Sequence, residues 1–273
     1  DEQTEYQIND RQSFQRFLGL HLGSTVPDYS SIWRYREQLG DAGVVKGLFD
    51  LFTKKMEEQG VITKVGTIID ASFVEVPRQR NSKEENEMIK KGEIPDEWKS
   101  NPAKLRQKDV DARWVKKNEV RYYGYKDHDV VDADSKMIRD YKGTSAEVHD
   151  STVTFDLINE KNRNENLLAD SAYKNKDCDK RLTELEINNY INERAYRNRP
   201  LTEFQKQFNK AKSAIRCRIE HVFGHIENSM GGPGFEYIGI KRIQAAIGLR
   251  NLTYNFVRYV QLIKSGRTPA PSF

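Results

Sequence analysis

Apolar positions along the chain change period several times, and each change marks an element. Phe14, Phe17, Leu18, Leu20 and Leu22 recur at helical spacing over residues 11–22. Asp28-Tyr29-Ser30-Ser31 then offers a cap ahead of Ile32, Trp33, Tyr35 and Leu39. Val44, Val45, Leu48, Phe49, Leu51, Phe52 and Met56 give one buried face to a third helix over 42–59, so residues 1–60 read as a small helical unit. From Val61 the period shortens. Residues 66–76 read as a strand, with Ile68 and Ile69 ahead of Asp70 and Phe73, Val74 and Val76 after it. Residues 78–118 hold few apolar positions and dense charge of both signs, which predicts a long surface insertion with one short helix at 84–91.

Two further runs, 120–131 and 136–141, flank Asp132-Ala133-Asp134-Ser135 and read as a hairpin. His149-Asp150-Ser151 can cap a helix through Val153, Phe155, Leu157 and Ile158. A buried strand over 166–170 ends at Asp170, a helix follows over 175–186, and 187–192 reads as another strand. After a basic stretch at 194–212, residues 214–226 have helical period, Gly231-Gly232-Pro233-Gly234 breaks the chain, and 243–263 is a final apolar helix. Strand, hairpin, then alternating helix and strand predict an α/β fold, a mixed sheet covered by helices.

At 273 residues the chain has room for one large domain, or for a catalytic domain with a small appendage. A hydrophobic share of 37% against a charged share of 32% predicts a core accompanied by long solvated segments. The net charge of +4 is mild, so the distribution of charge matters more than its total. Cys178 and Cys217 show no zinc-type spacing and leave a disulfide between them open. With no apolar run of about 18 residues and no signal-like start, a soluble, intracellular protein is expected. The opening residue is Asp1 rather than Met, which suggests a natural segment upstream.

The candidate chemistry lies in three acids. Asp70 and Asp170 each close an apolar run, and Glu220 sits inside a helix-period segment. They are far apart in sequence, so only a fold can gather them. Three converging carboxylates suit a hard divalent cation, and a pair of such ions about 4 Å apart can drive in-line displacement at a phosphodiester. Taken singly, each acid also reads as a turn former or a solvated side chain. The apolar flanks favour burial, and a buried carboxylate needs a cation, a proton or an arginine. Arg194, Arg197, Arg199, Lys206, Lys210, Lys212, Arg216 and Arg218 face only Glu203 within 194–218, with Tyr196 and Phe204 interleaved. Such a tract suits a nucleic-acid backbone, though a solvated connector has the same composition. For residues 1–60, packing and DNA contact are both open. His221 and His225 have a zinc-binding spacing, but Val222 stands where a zincin places its Glu. Ser151 and Ser171 lie in no nucleophile elbow.

The residues together resemble the DDE transposases of bacterial insertion sequences, in particular the insertion-sequence-five-like group. The resemblance runs through Phe14 to Leu20 with Val26-Pro27-Asp28, then Gly66-Thr67-Ile68-Ile69-Asp70-Ala71. It continues through Tyr125-Lys126-Asp127-His128, Val131-Asp132-Ala133-Asp134-Ser135 and Val148-His149-Asp150-Ser151. Asp170-Ser171-Ala172-Tyr173 and Ala214-Ile215-Arg216 through Glu220-His221 complete it, in the family's order.

It implies a ribonuclease-H-like core over 61–265, an N-terminal helical unit over 1–60, and a tail at 266–273. Asp70, Asp170 and Glu220 would be catalytic ligands of magnesium, with manganese as a substitute. The implied activity is metal-dependent cleavage at insertion-sequence ends followed by strand transfer, by a homodimer on the bacterial nucleoid. A nuclease of the same fold, or a DNA-binding copy that has lost catalysis, are the alternatives. Arg216 matches the family's helix arginine, expected to approach a DNA phosphate. Ser213 stands where the wider pattern has Tyr, and Glu227 where it has Lys. Lys241 and Arg242 are the candidates to replace that missing charge.

Overall fold

The computed structural model describes residues 1–21, 23–117, 119–197 and 199–268; Leu22, and residues 269–273 of the expected tail, lie outside them. Four helices come first: α1 (Glu2–Asp10), α2 (Gln12–Phe17), α3 (Tyr29–Asp41) and α4 (Val44–Glu58). The Asp28 carboxylate accepts the Ser31 N–H at 2.7 Å and starts α3 where the sequence places its cap. The helix expected over 11–22 is shorter, and α1 precedes it in a segment too polar to show an apolar stripe. None of the residues of α1, α2 and α3 is buried, whereas α4 buries Val45, Phe49, Thr53 and Met56. Phe49 meets Tyr141 edge-on at 4.9 Å in the main core. By burial, α4 therefore belongs with the larger body that follows it.

That body is built on β1 (Gly66–Glu75), β2 (Arg113–Lys117), β3 (Val120–Asp132), β4 (Ile138–Ser145), β5 (Asn166–Leu168) and β6 (Asn188–Asn189). β1 pairs antiparallel with β3 from Thr67↔Asp132 to Glu75↔Gly124, and β4 pairs antiparallel with β3. β5 runs parallel to β1, and β6 parallel to β5. The order β4-β3-β1-β5-β6, three antiparallel strands continued by two parallel ones, is the ribonuclease-H-like arrangement. At Gly124 a Cβ would lie 2.3 Å from the Val74 carbonyl oxygen, and φ is +146°, so only glycine lets the strands approach there.

Residues 78–118 are more ordered than expected. They hold α5 (Lys83–Lys90), α6 (Asp96–Lys99) and α7 (Pro102–Leu105) before β2. A capping box between Ser82 and Glu85 opens α5, and the fully buried Trp98 donates its indole N–H to Glu85 at 2.8 Å. β2 is a strand because it pairs with residues 120–124 of β3, not because of its own composition; Arg113, Lys116 and Lys117 mask it in the sequence.

β1 is apolar on both faces, so it needs cover on both. On one side Ile69 packs with Val130, Val153, Leu157, Leu167 and Tyr173, under α8 (Asp150–Leu157) and α9 (Lys176–Glu184). On the other, Ile68 and Val74 pack with Ile219, Val222 and Ile226 of α10 (Glu203–Ser229) and with Ile243 and Ile247 of α11 (Ile240–Lys264). α10 starts eleven residues before the expected 214, at a capping box in which Thr202 Oγ1 accepts the Gln205 N–H at 3.2 Å. β5 and β6 are shorter than expected, because Asp170 leaves the strand to cap the turn at Ser171–Tyr173.

α11 is fastened to the sheet by polar groups. Asn255 pairs with both the N–H and the carbonyl of Ile138, at 2.9 and 2.7 Å. Asn251 donates to Asp129 at 2.8 Å and to Asp127 at 3.2 Å. Burial, then the neighbouring Asp127 charge, holds the Asp129 carboxyl well above the usual carboxylate range. At Gly248 a Cβ would meet the Tyr141 hydroxyl at 2.1 Å, which lets α11 lie close on β4. Both cysteines are free thiols, and among the described residues no helix is long and apolar enough to cross a membrane.

One buried ion pair ties the sheet to the segment entering β5. Arg139 on β4 reaches Glu165 with both guanidinium arms, at 2.5 and 3.0 Å, and donates to Thr67 at 2.7 Å. Asn162 donates to the same carboxylate at 3.2 Å. Glu165→Ala leaves the Arg139 charge buried and poorly compensated, so unfolding stability should fall by about 3–5 kcal/mol, read from urea denaturation. A loss below about 1 kcal/mol would place this pair with exposed ones and refute the role given to it.

Candidate active site

Asp70 lies in the middle of β1. The parallel register brings Ile68 opposite Leu168, both in the core under α10. Asp70 stands two residues further along β1, and Asp170 lies just past the end of β5, near enough for its charge to act on the Asp70 carboxyl. From above, α10 lowers Arg216 between acids. Its Nη1 donates to Asp70 Oδ2 at 2.7 Å and its Nη2 to Glu220 Oε1 at 3.3 Å. The Asp70 and Arg216 side chains are each 20% exposed, while that of Glu220 is 59% exposed and open to solvent. Packing of Ile219 and Val222 into the core sets the rotation of α10 and therefore which way Arg216 and Glu220 point.

Burial raises the Asp70 carboxyl above its ordinary value, and the Asp170 charge raises it further. The Ala71 N–H, at 2.9 Å, and the Arg216 guanidinium work against this. Asp170 accepts the Ala172 N–H at 2.6 Å, which fixes one of its oxygens. Arg216 thus links Asp70 to Glu220, while Asp170 is near enough for its charge to act on Asp70. Among the described residues, however, no three His, Cys, Asp or Glu side chains close on one point as metal ligands would. The guanidinium fills that role, neutralising Asp70 and Glu220 at once. All the donors are hard oxygens with one carboxylate held against its charge, and a hard divalent cation suits that set.

Behind the acids lies a second polar layer whose residues the sequence reading named within the resemblance motifs but gave no role. The Tyr173 hydroxyl is buried without a hydrogen-bond partner among the described residues. Burial first, and then the charges of Asp70, Asp150 and Asp170, push its phenol above the ordinary value. On the same side Lys126 donates to Asp150 at 2.8 Å and to the Val148 carbonyl at 2.7 Å, tying α8 to β3. His128 bonds Thr144 at 2.8 Å and is lowered to about 4 by burial, so it stays neutral. From β2, Lys117 adds a positive charge that acts on Asp70. The sequence signal for Tyr173 is its place closing the Asp170-Ser171-Ala172-Tyr173 motif.

The basic residues divide. Arg194, Arg197 and Arg199 are exposed in the irregular segment before α10, and Lys206 and Lys210 are exposed on its first turns. Lys206 is paired with Glu203 at 2.7 Å. Lys212 departs from the expectation of a DNA contact. It is buried, donating to the Ile191 carbonyl at 2.8 Å with its ammonium 4.5 Å from the Phe208 ring centre. Ser213 accepts from Asn192 at 3.0 Å, a link between the β6 exit and α10. Arg242 is tied to Glu37 of α3 at 2.5 Å. His221 is engaged by Lys136 and His225 packs edge-on against Tyr254, so neither serves a zinc site.

Residues 1–38 match the family described as Transposase domain (DUF772). Among solved structures the chain is similar to one titled as a cryo-EM structure of the piggyBac transposase synaptic complex with hairpin DNA. That likeness has 13% identity and a TM-score of 0.49, over 90% of this chain and 57% of the other. This chain thus spans little more than half the length of that protein, and the fold assignment rests on strand order instead. Residues 62–256 match the family described as Transposase DDE domain, for which divalent-metal dependence is implied. Because that match covers most of the chain, including Asp70, Asp170, Arg216 and Glu220, the chain belongs to the transposase DDE domain family.

Proposed function

We propose that this chain is a DNA transposase that cuts the ends of an insertion sequence and joins them to target DNA, using magnesium held by Asp70, Asp170 and Glu220. One observation carries the reading: Arg216 of α10 bridges Asp70 on β1 to Glu220, with Asp170 just past the parallel neighbour β5 and close enough to act on Asp70. When bound, a divalent cation supplies an activated water or hydroxyl and stabilises the leaving oxygen. The chain's own residues do the rest. Asp70 and Asp170 define the floor of the site. Glu220, open to solvent, is the acid able to close on it. Arg216 holds Asp70 and Glu220 together, and its planar guanidinium would equally suit a phosphate oxygen of the substrate.

The polyanionic substrate is supported by Arg194, Arg197, Arg199, Lys206 and Lys210, all exposed along the approach to α10. α1 to α3, with no buried residue of their own, supply a second surface suited to DNA contact. Two copies, each engaging one end of the element, would act together on the bacterial nucleoid. The insertion-sequence-five-like grouping rests on the sequence motifs alone. No contact favours a nuclease that stops at hydrolysis, and joining of pre-cleaved ends separates the two reactions.

Asp70→Asn and Glu220→Gln should each abolish magnesium-dependent end cleavage while leaving DNA affinity within about twofold. The rate should fall by more than the about 10–100-fold typical of a lost outer contact. Cleavage by either purified variant at the unsubstituted rate would overturn these roles. Arg216→Gln removes the shared counter-charge from Asp70 and Glu220. Magnesium should then raise the melting temperature more than it does in the unsubstituted protein, since saturation at 100 times Kd contributes about 2.7 kcal/mol and the competing guanidinium is gone. Equal shifts in the two proteins would show that Arg216 does not compete for the site.

A further inference from the structure

We propose that the β3–β4 turn, α10 and α11 form a phosphate site from Lys136, Arg218, His221, Arg258 and Arg267, which takes a DNA backbone phosphate beside Glu220. This rests on the DNA-transposase reading and extends the DNA path to residues outside the 194–216 tract.

The turn is held from three directions. Arg218 of α10 donates to the Ala133 carbonyl, Arg258 of α11 to the Ser135 carbonyl at 2.7 Å, and the Tyr254 hydroxyl to the Lys136 carbonyl at 2.9 Å. Lys136 itself sits at φ +61°, the left-handed region that L residues rarely adopt. That conformation projects its ammonium onto His221 Nδ1 at 2.8 Å. A lysine can only donate, so Nδ1 accepts and the ring proton resides on Nε2, leaving a further donor for an outside acceptor.

The clamp concentrates positive charge with little to offset it. Burial first, then the charges of Arg258, Arg218 and Arg267, pull the Lys136 ammonium below its ordinary value. Among the described residues Arg267 pairs with Asp134 at 2.8 Å, while Lys136, Arg218 and Arg258 make no ion pair. Each guanidinium has five N–H donors. Arg258 commits one donor to the Ser135 carbonyl and one to Gln261 at 3.2 Å, and Arg218 commits one to Ala133. Crowded cations with uncommitted donors, half-buried around a fixed turn, match a phosphate oxyanion.

The location gives the site its use. On α10 His221 directly follows Glu220, while Arg218, two residues before it, projects about 200° around the helix axis onto the Ala133 carbonyl. The cluster thus lies on the flank of α10 turned to the β3–β4 turn, beside the flank that carries Arg216 and Glu220. The exposed lysines and arginines at 194–210 lie at and before the first turns of the same helix. A DNA backbone lying along α10 would thus meet two basic surfaces carried by one element.

The test is the salt dependence of binding by the full chain to a duplex oligonucleotide of arbitrary sequence, followed by fluorescence anisotropy. Lys136→Asn keeps a residue that tolerates the left-handed backbone and removes the charge. It should flatten the slope of log K against log salt by about 0.9, one phosphate contact, with the melting temperature unchanged. Lys136→Asn with Arg267→Gln should flatten it further. Slopes equal to that of the unsubstituted protein, whatever the affinity, would overturn the site while sparing the DNA reading. An unsubstituted protein with no salt-dependent binding would overturn both.

Discussion

The fold turns on how α10 lies across β1 and β5. Ile219, Val222 and Ile226 enter the core over Ile68 and Leu168, and that packing leaves one helix face directed at Asp70. Burial penalises the Asp70 charge, and the Asp170 charge just past β5 adds repulsion. The guanidinium of Arg216 offsets both costs. Sheet, helix and charge therefore depend on one another: rotate α10, and Asp70 loses its counter-ion while the core loses its fit.

The same logic explains the rest of the polar interior. The body places several charged groups inside where they fasten elements to one another. Arg139 with Glu165 joins β4 to the entry of β5, and Lys126 with Asp150 joins β3 to α8. Asn251 with Asp127 and Asp129 joins α11 to β3. The Tyr173 hydroxyl, under the influence of the Asp70 and Asp170 charges, and Arg216 Nε are among the buried atoms left without a partner among the described residues. Buried ionic links contribute orientation more than net stability, and orientation is what a site assembled from three distant segments requires.

Much of this architecture is legible in the order of the residues. Ile68-Ile69-Asp70, the Asp132-Ala133-Asp134-Ser135 turn and the Asp28 cap each announce themselves, because unbroken apolar runs and turn formers act locally. β2 is not legible, since its polar residues become a strand only through pairing with β3. The first half of α10 is hidden for a related reason: its lysines are good helix formers but look like solvated connector. The i, i+4 spacing of Arg216 and Glu220 is visible in the sequence, yet the bond from Arg216 to Asp70 crosses 146 residues and is decided by packing. Lys212 shows the converse. A lysine in a basic run reads as surface, but its long stem lets the ammonium reach a buried carbonyl.

The capping box at Thr202 has a mechanical implication. It makes residues 203–229 a single 27-residue rod instead of a short helix preceded by slack chain. From Lys210 to Glu220 the rod spans about 15 Å, at about 1.5 Å per residue. A force applied to its outer, solvent-facing turns cannot be absorbed by a hinge before it arrives at the acid. Grip at one end and alignment at the other become a single rigid-body event.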